Sequence, residues 1–431
     1  MSRLLFLEFN EVNFKMLERY IEFGALPNFE RLFTQHGYTE TESESIYENI
    51  EPWIQWVTAH TGKTLAEHKV FRLGDIVDHD LEQIWEQVER QGFRVAAMSP
   101  MNAANCTNEA AFFVPDPWTK TAVTGGMLLK QAHAAIRQAV GDNAAGRLTW
   151  HSAFWLGLFA TINVRPSQYV QMIKLIVQSR NRKWIKPIAL DMLLANAFVS
   201  QVKRRQPDFA TLFVNAAAHV QHHYLFSSKA YEGERSNPAW YVSANVDPLL
   251  DVYAAYDRIL GLVQNTFPDA RLMIATGLHQ DPHENITFYW RLKNHDSFLT
   301  RLGVPFVRID PLMSRDFIVV CQNVSDALST ETILSACVDK HGTPLFEVDN
   351  RGDNLFVMLT YPNDIDHDFE FISEDDVHSG FRDDIAFVAI KNGQHNGVGY
   401  FVDTGVQSPV HQAERQPLSF IPRRVMQAMT E

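Results

Sequence analysis

The chain has 431 residues, of which 46% are hydrophobic and 21% are charged, so it is long enough for a large α/β domain with an insertion or for two domains. Its formal net charge of −13 argues against nonspecific nucleic-acid binding, because that needs clustered Lys and Arg to neutralise phosphates. The three cysteines are far apart and form no paired motif, so we expect no disulfide framework and a cytoplasmic location.

Neither a signal peptide nor a membrane-spanning segment is expected from the apolar runs. The opening run is short and carries Glu8. The longest later run, residues 153–164, is shorter than the ~20 residues that a spanning helix needs. We interpret it as a buried or lid helix, and contact with a membrane surface is the alternative.

The first fourteen residues predict the start of an active site. The apolar run 4–7 is typical of a buried parallel strand, and the polar residues Glu8, Asn10 and Glu11 follow or end it. In open α/β sheets, ligands bind beyond the carboxyl ends of such strands. We therefore expect these three side chains at a functional site.

The next elements alternate between helix and strand. Helical spacing predicts helices over 14–23, 26–32, 52–60 and 81–91. A strand is predicted over 92–98, and the polar, acidic stretch 39–51 is interpreted as a loop. This rhythm indicates a mostly parallel sheet with right-handed crossovers.

The patterns after residue 120 divide the chain into three parts. Residues 121–205 are helical in pattern without clear strands, which indicates a helical insertion, or cap. Strand patterns return at 209–214, 271–276, 355–359, 385–390 and 400–402, and a long helix is predicted over 247–265. We therefore divide the chain into a first core part (1–120), the insertion (121–205) and a second core part (206–431).

Histidines follow the predicted strand 209–214 at an unusual density. His219, His222 and His223 fall within five positions, and neutral imidazole is a common ligand of transition metals. On a helix, His219 would share a face with either His222 or His223. The alternative is that one or two of them are surface histidines at a helix start.

Three other stretches carry candidate groups. His395 lies among glycines in 393–399, where the backbone can approach a ligand closely, although a plain glycine-rich turn with an exposed histidine is the alternative. His279 lies in 276–284, whose spacing matches no zinc pattern, so taken alone this segment is better interpreted as an ordinary polar loop. Glu51 precedes a predicted helix, whose N-terminus suits an anion, although a simple capping role is the alternative.

The order of these pieces resembles the alkaline phosphatase superfamily, in particular its phosphodiesterase/nucleotide-pyrophosphatase and sulfatase-like branch. The matching segments are a first strand and a Leu-Pro-Asn turn at 26–28, a helix running from Trp56 to Thr61-Gly62 and on to His68, Gln221-His222, and Gly393-Gln394-His395 with Gly397. The resemblance covers about residues 1–100, 205–285 and 385–405, and leaves the helical insertion uncovered.

The chain departs from that pattern at several reactive positions. Glu8 stands where the resemblance implies a metal-binding Asp at the first strand, and Ala218 replaces a second Asp ligand. The position of the nucleophilic Thr or Ser falls on Pro52, with Glu51 as the nearest reactive side chain. After the strand 271–276, an Asp-His-Gly motif is missing and His279 alone remains.

The resemblance implies an alkaline-phosphatase-like three-layer α/β/α sandwich with a mostly parallel central sheet and a helical cap insertion. Its implied function is a metal-dependent hydrolase or transferase that acts on a small phosphate or sulfate ester with metal-bound water at a histidine-rich, mononuclear site. The alternatives are a mononuclear metal lyase or redox enzyme on the same fold, and a non-catalytic ligand-binding relative.

The expected site has two groups of residues. The metal, zinc first with manganese or iron as alternatives, is expected to bind to Glu8, His219, His222, His395 and His279. The expected catalytic residues are Glu51, Glu11 and Asn10, with Glu51 open as nucleophile, base, ligand or helix cap.

Overall fold

The computed structural model describes residues 3–141, 148–312, 315–373, 376–407 and 412–431. The chain forms two compact units, one made of Met1–Pro282 with Gly393–Glu431 and the other of His283–Asn392. The second unit lies within the part of the chain that the sequence analysis assigned to the core without dividing it.

The helices and strands are numbered along the chain. The strands are β1 (Leu4–Phe9), β2 (Thr39–Glu42), β3 (Val95–Met98), β4 (Phe112–Val114), β5 (Phe209–Val214), β6 (Arg271–Ala275), β7 (His279–Leu292), β8 (Arg308–Pro311), β9 (Asp316–Val320), β10 (Val338–Asp339), β11 (Phe346–Asn350), β12 (Asn354–Leu359), β13 (Glu370–Ser373), β14 (Asp376–Ser379), β15 (Ile385–Asn396), β16 (Val398–Asp403) and β17 (Gln412–Pro417). The helices are α1 (Phe14–Glu22), α2 (Pro27–His36), α3 (Pro52–Thr61), α4 (Leu65–His68), α5 (Ile84–Arg90), α6 (Met127–Gly141), α7 (Trp150–Asn163), α8 (Tyr169–Gln178), α9 (Ile185–Arg205), α10 (Ala216–Tyr224), α11 (Pro248–Thr266), α12 (His295–Arg301), α13 (Val324–Ser335), α14 (Phe381–Asp384) and α15 (Ile421–Thr430).

The first unit contains a mostly parallel sheet with the strand order β17-β2-β16-β6-β1-β5-β3-β4. The strands from β6 to β4 in that order are mutually parallel, whereas β16 runs antiparallel to β6. β1 lies at the centre, with Leu7 opposite Leu212 of β5 and Ile274 of β6. The apolar run of β1 fits this position because a parallel strand is covered on both faces.

The two faces of β1 contribute to separate hydrophobic cores. The odd-numbered residues Leu5, Leu7 and Phe9 pack in one core. The even-numbered residues Leu4 and Phe6 pack in the other core with residues of α3, α5 and α15. This alternation follows from the period of two along a strand, and it decides which core each polar side chain of β1 enters.

The stretch 39–51, predicted as a loop, contains the strand β2. It pairs antiparallel with β16, with Thr41 opposite Gly399 and Glu40 opposite Tyr400. β2 has the sequence Thr-Glu-Thr-Glu and buries only Thr41. Because β2 contains no apolar residue, it does not show the alternation of apolar and polar residues that predicts a strand.

The predicted helical stretch 121–205 contains α6 to α9. Residues of α9, including Phe198 and Val202, pack in the same hydrophobic core as Leu7 of β1. Within the described residues, α9 is the one helix long and apolar enough to cross a membrane, but 72% of its apolar window is buried inside the protein. It therefore serves as a core helix, and the capping role of the insertion stays a prediction.

The second unit is built on antiparallel strands. One sheet has the order β11-β12-β9-β8, a second has the order β10-β13-β14, and β7 pairs with β15. Its hydrophobic core includes Trp290, Phe298, Val357 and Phe381. The sequence predicted two of its strands, those at 355–359 and 385–390, and missed the others, including β7 with 14 residues and β9 with the apolar run Phe317 to Val320.

Candidate active site

The candidate site lies at the carboxyl edge of the central strands of the first unit. The backbone N–H of Asn10 donates to Val214 O (3.1 Å), and that of Glu11 donates to Thr276 O (3.0 Å). The chain leaving β1 is thus held between the residues that end β5 and follow β6. These bonds place Asn10 and Glu11 where open α/β sheets bind their ligands.

Glu11 has a left-handed backbone conformation, with φ of 61°. Such a conformation is uncommon for a residue with a Cβ atom and persists only where the surroundings hold it. Here the Glu11 carbonyl oxygen accepts a hydrogen bond from Gln221 Nε2 (2.7 Å), and the Gln221 Oε1 accepts one from the Tyr253 hydroxyl (2.7 Å). The strain is therefore located at a candidate functional residue.

The carboxylate of Glu11 is buried and held at both oxygens. Oε1 accepts a hydrogen bond from Asn10 Nδ2 (3.0 Å), and Oε2 accepts one from Gln280 Nε2. The backbone carbonyl of Gln280 in turn accepts a bond from Asn13 Nδ2 (3.0 Å). This network aims the Glu11 carboxylate in one direction.

Two histidines meet this carboxylate. Nε2 of His222, on α10, lies 3.4 Å from Glu11 Oε2, and Nε2 of His395, on β15, lies 3.3 Å from the same oxygen. The two Nε2 atoms lie 3.1 Å from each other. The three donor atoms therefore form a small, nearly equilateral triangle.

The charges of these groups are coupled. Burial acts to raise the pKa of Glu11, but His395 and His222 together hold it well below its ordinary value. Burial acts to lower the pKa of His395, but the Glu11 and Glu51 carboxylates raise it above its ordinary value. A cation at this site, whether a proton or a metal ion, is thus strongly favoured by the carboxylate.

The triangle fits the donor set of a single metal ion. All three ligand atoms lie within 4.8 Å of one another. A tetrahedral ion with bonds of about 2.0–2.1 Å has ligand–ligand edges of about 3.3–3.4 Å, close to the observed distances. Two imidazoles and a carboxylate are a common set for zinc and related transition metals.

Glu51 stands on the far side of His395 from the triangle. Its Oε2 lies 3.6 Å from His395 Nδ1, and the backbone of Ile50 forms a hydrogen bond with the same histidine. Glu51 is also the residue before α3, but its side chain makes no capping hydrogen bond there. A carboxylate behind a ligating histidine orients the ring and raises its basicity.

Asn10 has hydrogen bonds at both polar atoms of its side chain. Its Oδ1 accepts from Trp56 Nε1 (2.6 Å), while its Nδ2 donates to Glu11 and to Asn215 Oδ1 (2.7 Å). Asn10 is fully buried. It is placed to hold Glu11 rather than to present an atom to a substrate.

The structure does not bring Glu8, expected as a ligand, to the triangle. Glu8 is an even-numbered residue of β1 and enters the core beside α3. There its carboxylate lies 3.0 Å from His60 Nε2 and accepts a hydrogen bond from the Thr211 hydroxyl. Glu11, three residues later and beyond the strand, takes the place that the sequence analysis gave to Glu8.

His219 and His279, also expected as ligands, lie outside the triangle. His219 is exposed and packs against His223, with ring centroids 4.9 Å apart. His279 is buried, with Nδ1 2.5 Å from Val398 O and Nε2 3.2 Å from Asp281 Oδ1. Both ring nitrogens of His279 are thus used in hydrogen bonds to oxygen atoms.

Sequence reasoning marked Trp56 and Gln221 only as parts of matching motifs, and it missed the role of these residues and of Gln280 in holding the site. Gln221 and Gln280 bind the backbone and the carboxylate of Glu11, and Trp56 binds Asn10. The available signal was that each glutamine lies beside a histidine at the end of a predicted strand. Neutral side chains of this kind are not distinguishable from ordinary core or loop residues by pattern alone.

Comparison with known proteins gives a family. Residues 4–302 match the model of the type I phosphodiesterase/nucleotide pyrophosphatase family. Comparison with curated protein sequences gives no match.

Several solved structures are similar over nearly the whole chain. Phosphonoacetate hydrolase from Sinorhizobium meliloti 1021 is 12% identical, with a TM-score of 0.44 and coverage of 99% of this chain and 96% of that one. Human ectonucleotide pyrophosphatase/phosphodiesterase 5 is 9% identical, with a TM-score of 0.46 and coverage of 100% and 95%. The alkaline phosphatase PafA is 11% identical, with a TM-score of 0.46 and coverage of 100% and 96%.

The family match extends over more than half of the chain and includes β1, α3, β5, α10 and β6, which position Glu11 and His222. The structure is an α/β fold with a mostly parallel central sheet, as the sequence resemblance implied. The chain belongs to the type I phosphodiesterase/nucleotide pyrophosphatase family and is a phosphoesterase-like hydrolase.

Proposed function

We propose that this chain is a metal-dependent phosphoesterase with a mononuclear site formed by Glu11, His222 and His395. The observation that carries the proposal is the triangle of donor atoms, with sides of 3.1, 3.3 and 3.4 Å. Three protein ligands are typical of a catalytic zinc site, because a further position stays open for water or substrate.

A divalent ion held by these residues would polarise a phosphoryl oxygen and make bound water available as a nucleophile near neutral pH. Zinc suits the two imidazoles and the carboxylate, and manganese or iron are the alternatives. Glu11 would compensate part of the charge of such an ion. The neutral amides of Asn10 and Gln280 donate to the Glu11 carboxylate and hold it in place.

Direct attack by water is supported by the residues at the start of α3. Residues 51–57 contain no Ser or Thr. The first hydroxyl on the helix, that of Thr58, is buried and lies 3.2 Å from His68 Nε2, and that of Thr61 donates to Val57 O (2.7 Å). Glu51 therefore acts as a positioning residue for His395, and no protein nucleophile is assigned.

Metal content tests this proposal. Protein purified without chelator is expected to carry about one divalent ion per chain by elemental mass spectrometry, because three ligands define one site. His222→Ala and His395→Ala should each lose the ion. His223→Ala is the matched control, because its ring lies next to His222 on α10 but outside the triangle.

Activity should follow the metal. An aryl phosphodiester, an aryl phosphomonoester and an aryl sulfate would separate the substrate classes, and we expect the phosphate esters to be hydrolysed. Loss of hydrolysis on chelation and its return with zinc are expected for the wild type and for His223→Ala. A chain that binds no zinc, manganese or iron, or whose hydrolysis is unchanged in His222→Ala, would contradict the proposal.

A further inference from the structure

Helices α7 and α8 each expose large apolar side chains to solvent, and we call these side chains together the α7–α8 face. It comprises large side chains on both helices that are 54–92% exposed: Trp150, Phe154, Val170, Ile173, Ile176 and Val177. The apolar run 153–164 predicts a buried or lid helix, with contact with a membrane surface as the alternative. In the structure α7 buries only Ser152, Phe159 and Asn163.

The pattern of α8 shows that this exposure is not a matter of scattered residues. Val170, Ile173 and Val177 are spaced as i, i+3 and i+7, so they lie along one face of the helix. Met172 and Leu175 on the other side are already buried in the core. Helix α8 is therefore apolar on its core side and again on its solvent side.

The stretch of sequence that carries this face has a charge opposite to that of the whole chain. Residues 148–190 contain no Asp or Glu, although the whole chain has a net charge of −13. The same stretch contains six basic residues, namely Arg165, Lys174, Arg180, Arg182, Lys183 and Lys186. Four of these are exposed (Lys174, Arg180, Lys183 and Lys186), while Arg182 lies 3.6 Å from Asp251.

Exposed apolar helical side chains in a stretch that has basic but no acidic residues are suited to a membrane surface. Such helices lie in the plane of the interface, with apolar side chains at the acyl boundary and Lys or Arg on anionic headgroups. Helices α7 and α8 have 14 and 10 residues, too few to span a bilayer at ~20 residues. Trp150, 92% exposed, is of the residue type enriched at membrane–water interfaces.

We propose that the α7–α8 face binds the surface of a bilayer that contains anionic phospholipids. The apolar side chains enter the headgroup region, and the basic residues bind the lipid phosphates. A protein partner or a second copy of the chain would need only the apolar side chains for binding. The one-sided basic charge in an acidic chain favours the lipid.

Sedimentation of the full chain with vesicles tests this proposal. We expect binding to phosphatidylcholine vesicles that contain phosphatidylglycerol, and at least about tenfold weaker binding to phosphatidylcholine alone or at high salt. The double variants Trp150→Ser/Phe154→Ser and Ile173→Ser/Val177→Ser should each lose most of the binding. Lys174→Glu/Lys183→Glu should lose the preference for the anionic lipid.

The matched control is Val324→Ser/Leu328→Ser on α13, whose side chains are 57% and 55% exposed. This control should bind vesicles like the wild type. All variants should keep the thermal midpoint and the metal content of the wild type. A loss of vesicle binding can then be told apart from a failure of the proposed metal site.

Three results would overturn the proposal. The first is no binding to the anionic vesicles, and the second is binding that the α7 and α8 variants leave unchanged. The third is a concentration-dependent dimer that these variants convert to a monomer without any vesicle binding, which would assign the α7–α8 face to a second copy of the chain.

Discussion

The Nε2 atoms of His222 and His395 lie 3.1 Å apart, although 172 residues separate these histidines in the chain. His222 is on α10, directly after a central strand, whereas His395 is near the end of β15. Both nitrogens face one oxygen of Glu11. A change that moves one of these three side chains should therefore weaken metal binding even where the rest of the fold is unchanged.

Gly393→Ala is expected to weaken metal binding. A Cβ atom at this position would lie 2.9 Å from the carbonyl oxygen of Gln221 and would also meet the side chain of Gln280. Both glutamines hold Glu11, and His395 lies two residues further along the chain. We expect at least a tenfold loss of metal affinity by titration, because a shift of the ligand shell typically costs this much.

The control for this variant is Gly157→Ala on α7, where a Cβ atom would meet nothing within 4 Å. It should bind metal like the wild type and gain a few tenths to about 1 kcal/mol in stability, since alanine favours a helix over glycine. Equal metal affinities for the two variants would contradict the close approach at Gly393.

Trp56→Phe is expected to loosen the carboxylate ligand. The substitution removes the indole N–H that donates to Asn10 Oδ1 at 2.6 Å, and Asn10 in turn donates to Glu11. Leaving a buried amide oxygen without its donor costs about 1–3 kcal/mol. We expect lower stability in urea unfolding and weaker metal binding by titration.

Trp85→Phe is the matched control. Trp85 is also fully buried, and its Nε1 donates to Ala104 O at 3.2 Å, away from the triangle. Both variants should lose stability through the lost volume and the lost hydrogen bond, but metal affinity should fall only in Trp56→Phe. A fall in both would mean that general destabilisation explains the effect.

Glu51→Gln separates two roles for this carboxylate. If Glu51 orients His395 through Nδ1, 3.6 Å away, metal affinity should fall by about tenfold or more, as for other partners of ligating histidines. The pH profile of kcat for the fully metallated variant should keep its shape. Glu48→Gln is the control, because Glu48 is exposed and lies three residues before Glu51 in the chain.

A different result would reassign Glu51. Unchanged metal affinity, together with a kcat that loses its dependence on an acidic group, would make it a general base rather than a positioning residue.

Asp191 should make a contribution to the stability of the protein that falls as the pH rises towards 7. Burial raises the pKa of Asp191 to about 7, above the ordinary value of about 3.9 in an unfolded chain. Between these values the folded state holds a proton that the unfolded state has released, so stability decreases with rising pH. The contribution is at most about 1.4 kcal/mol per pH unit.

Asp191→Asn should remove this pH dependence. Its amide oxygen can replace Oδ2, which accepts hydrogen bonds from the backbone of Asn215 and Ala216 and from the Tyr256 hydroxyl. Urea unfolding of the wild type and this variant between pH 5 and 8 measures the difference. Identical pH dependence in the two proteins would contradict a raised pKa in the folded state.

The family and the main elements were predictable from sequence. The runs 4–7 and 209–214 are continuously apolar, and such runs follow from burial on both faces of a parallel sheet. The helices at 52–60 and 247–265 are marked by proline in the first turn and by helical spacing. The order of motifs predicted the family, and the family match confirms it.

The identity of the carboxylate near the histidines was decided by tertiary structure. Glu8 and Glu11 both follow the first apolar residues, and the sequence analysis preferred Glu8 as the ligand. The pleat of β1 directs Glu8 into the core with His60, whereas the left-handed turn at Glu11 directs its carboxylate to the histidines. Neither the strand end nor that φ angle is visible in the pattern of residue types.

The same reasoning applies to the other histidines and to the surface of α7 and α8. Sequence alone marked His222 and His395 first, then His219, with His279 as a weaker candidate, because ligand type and strand-end position are local properties. Only the packed structure shows which nitrogens converge with His395, because convergence depends on elements far apart in the chain. The sequences of α7 and α8 are likewise those of ordinary apolar helices. Only the fold shows which of their apolar residues are exposed to water and which lie in the core.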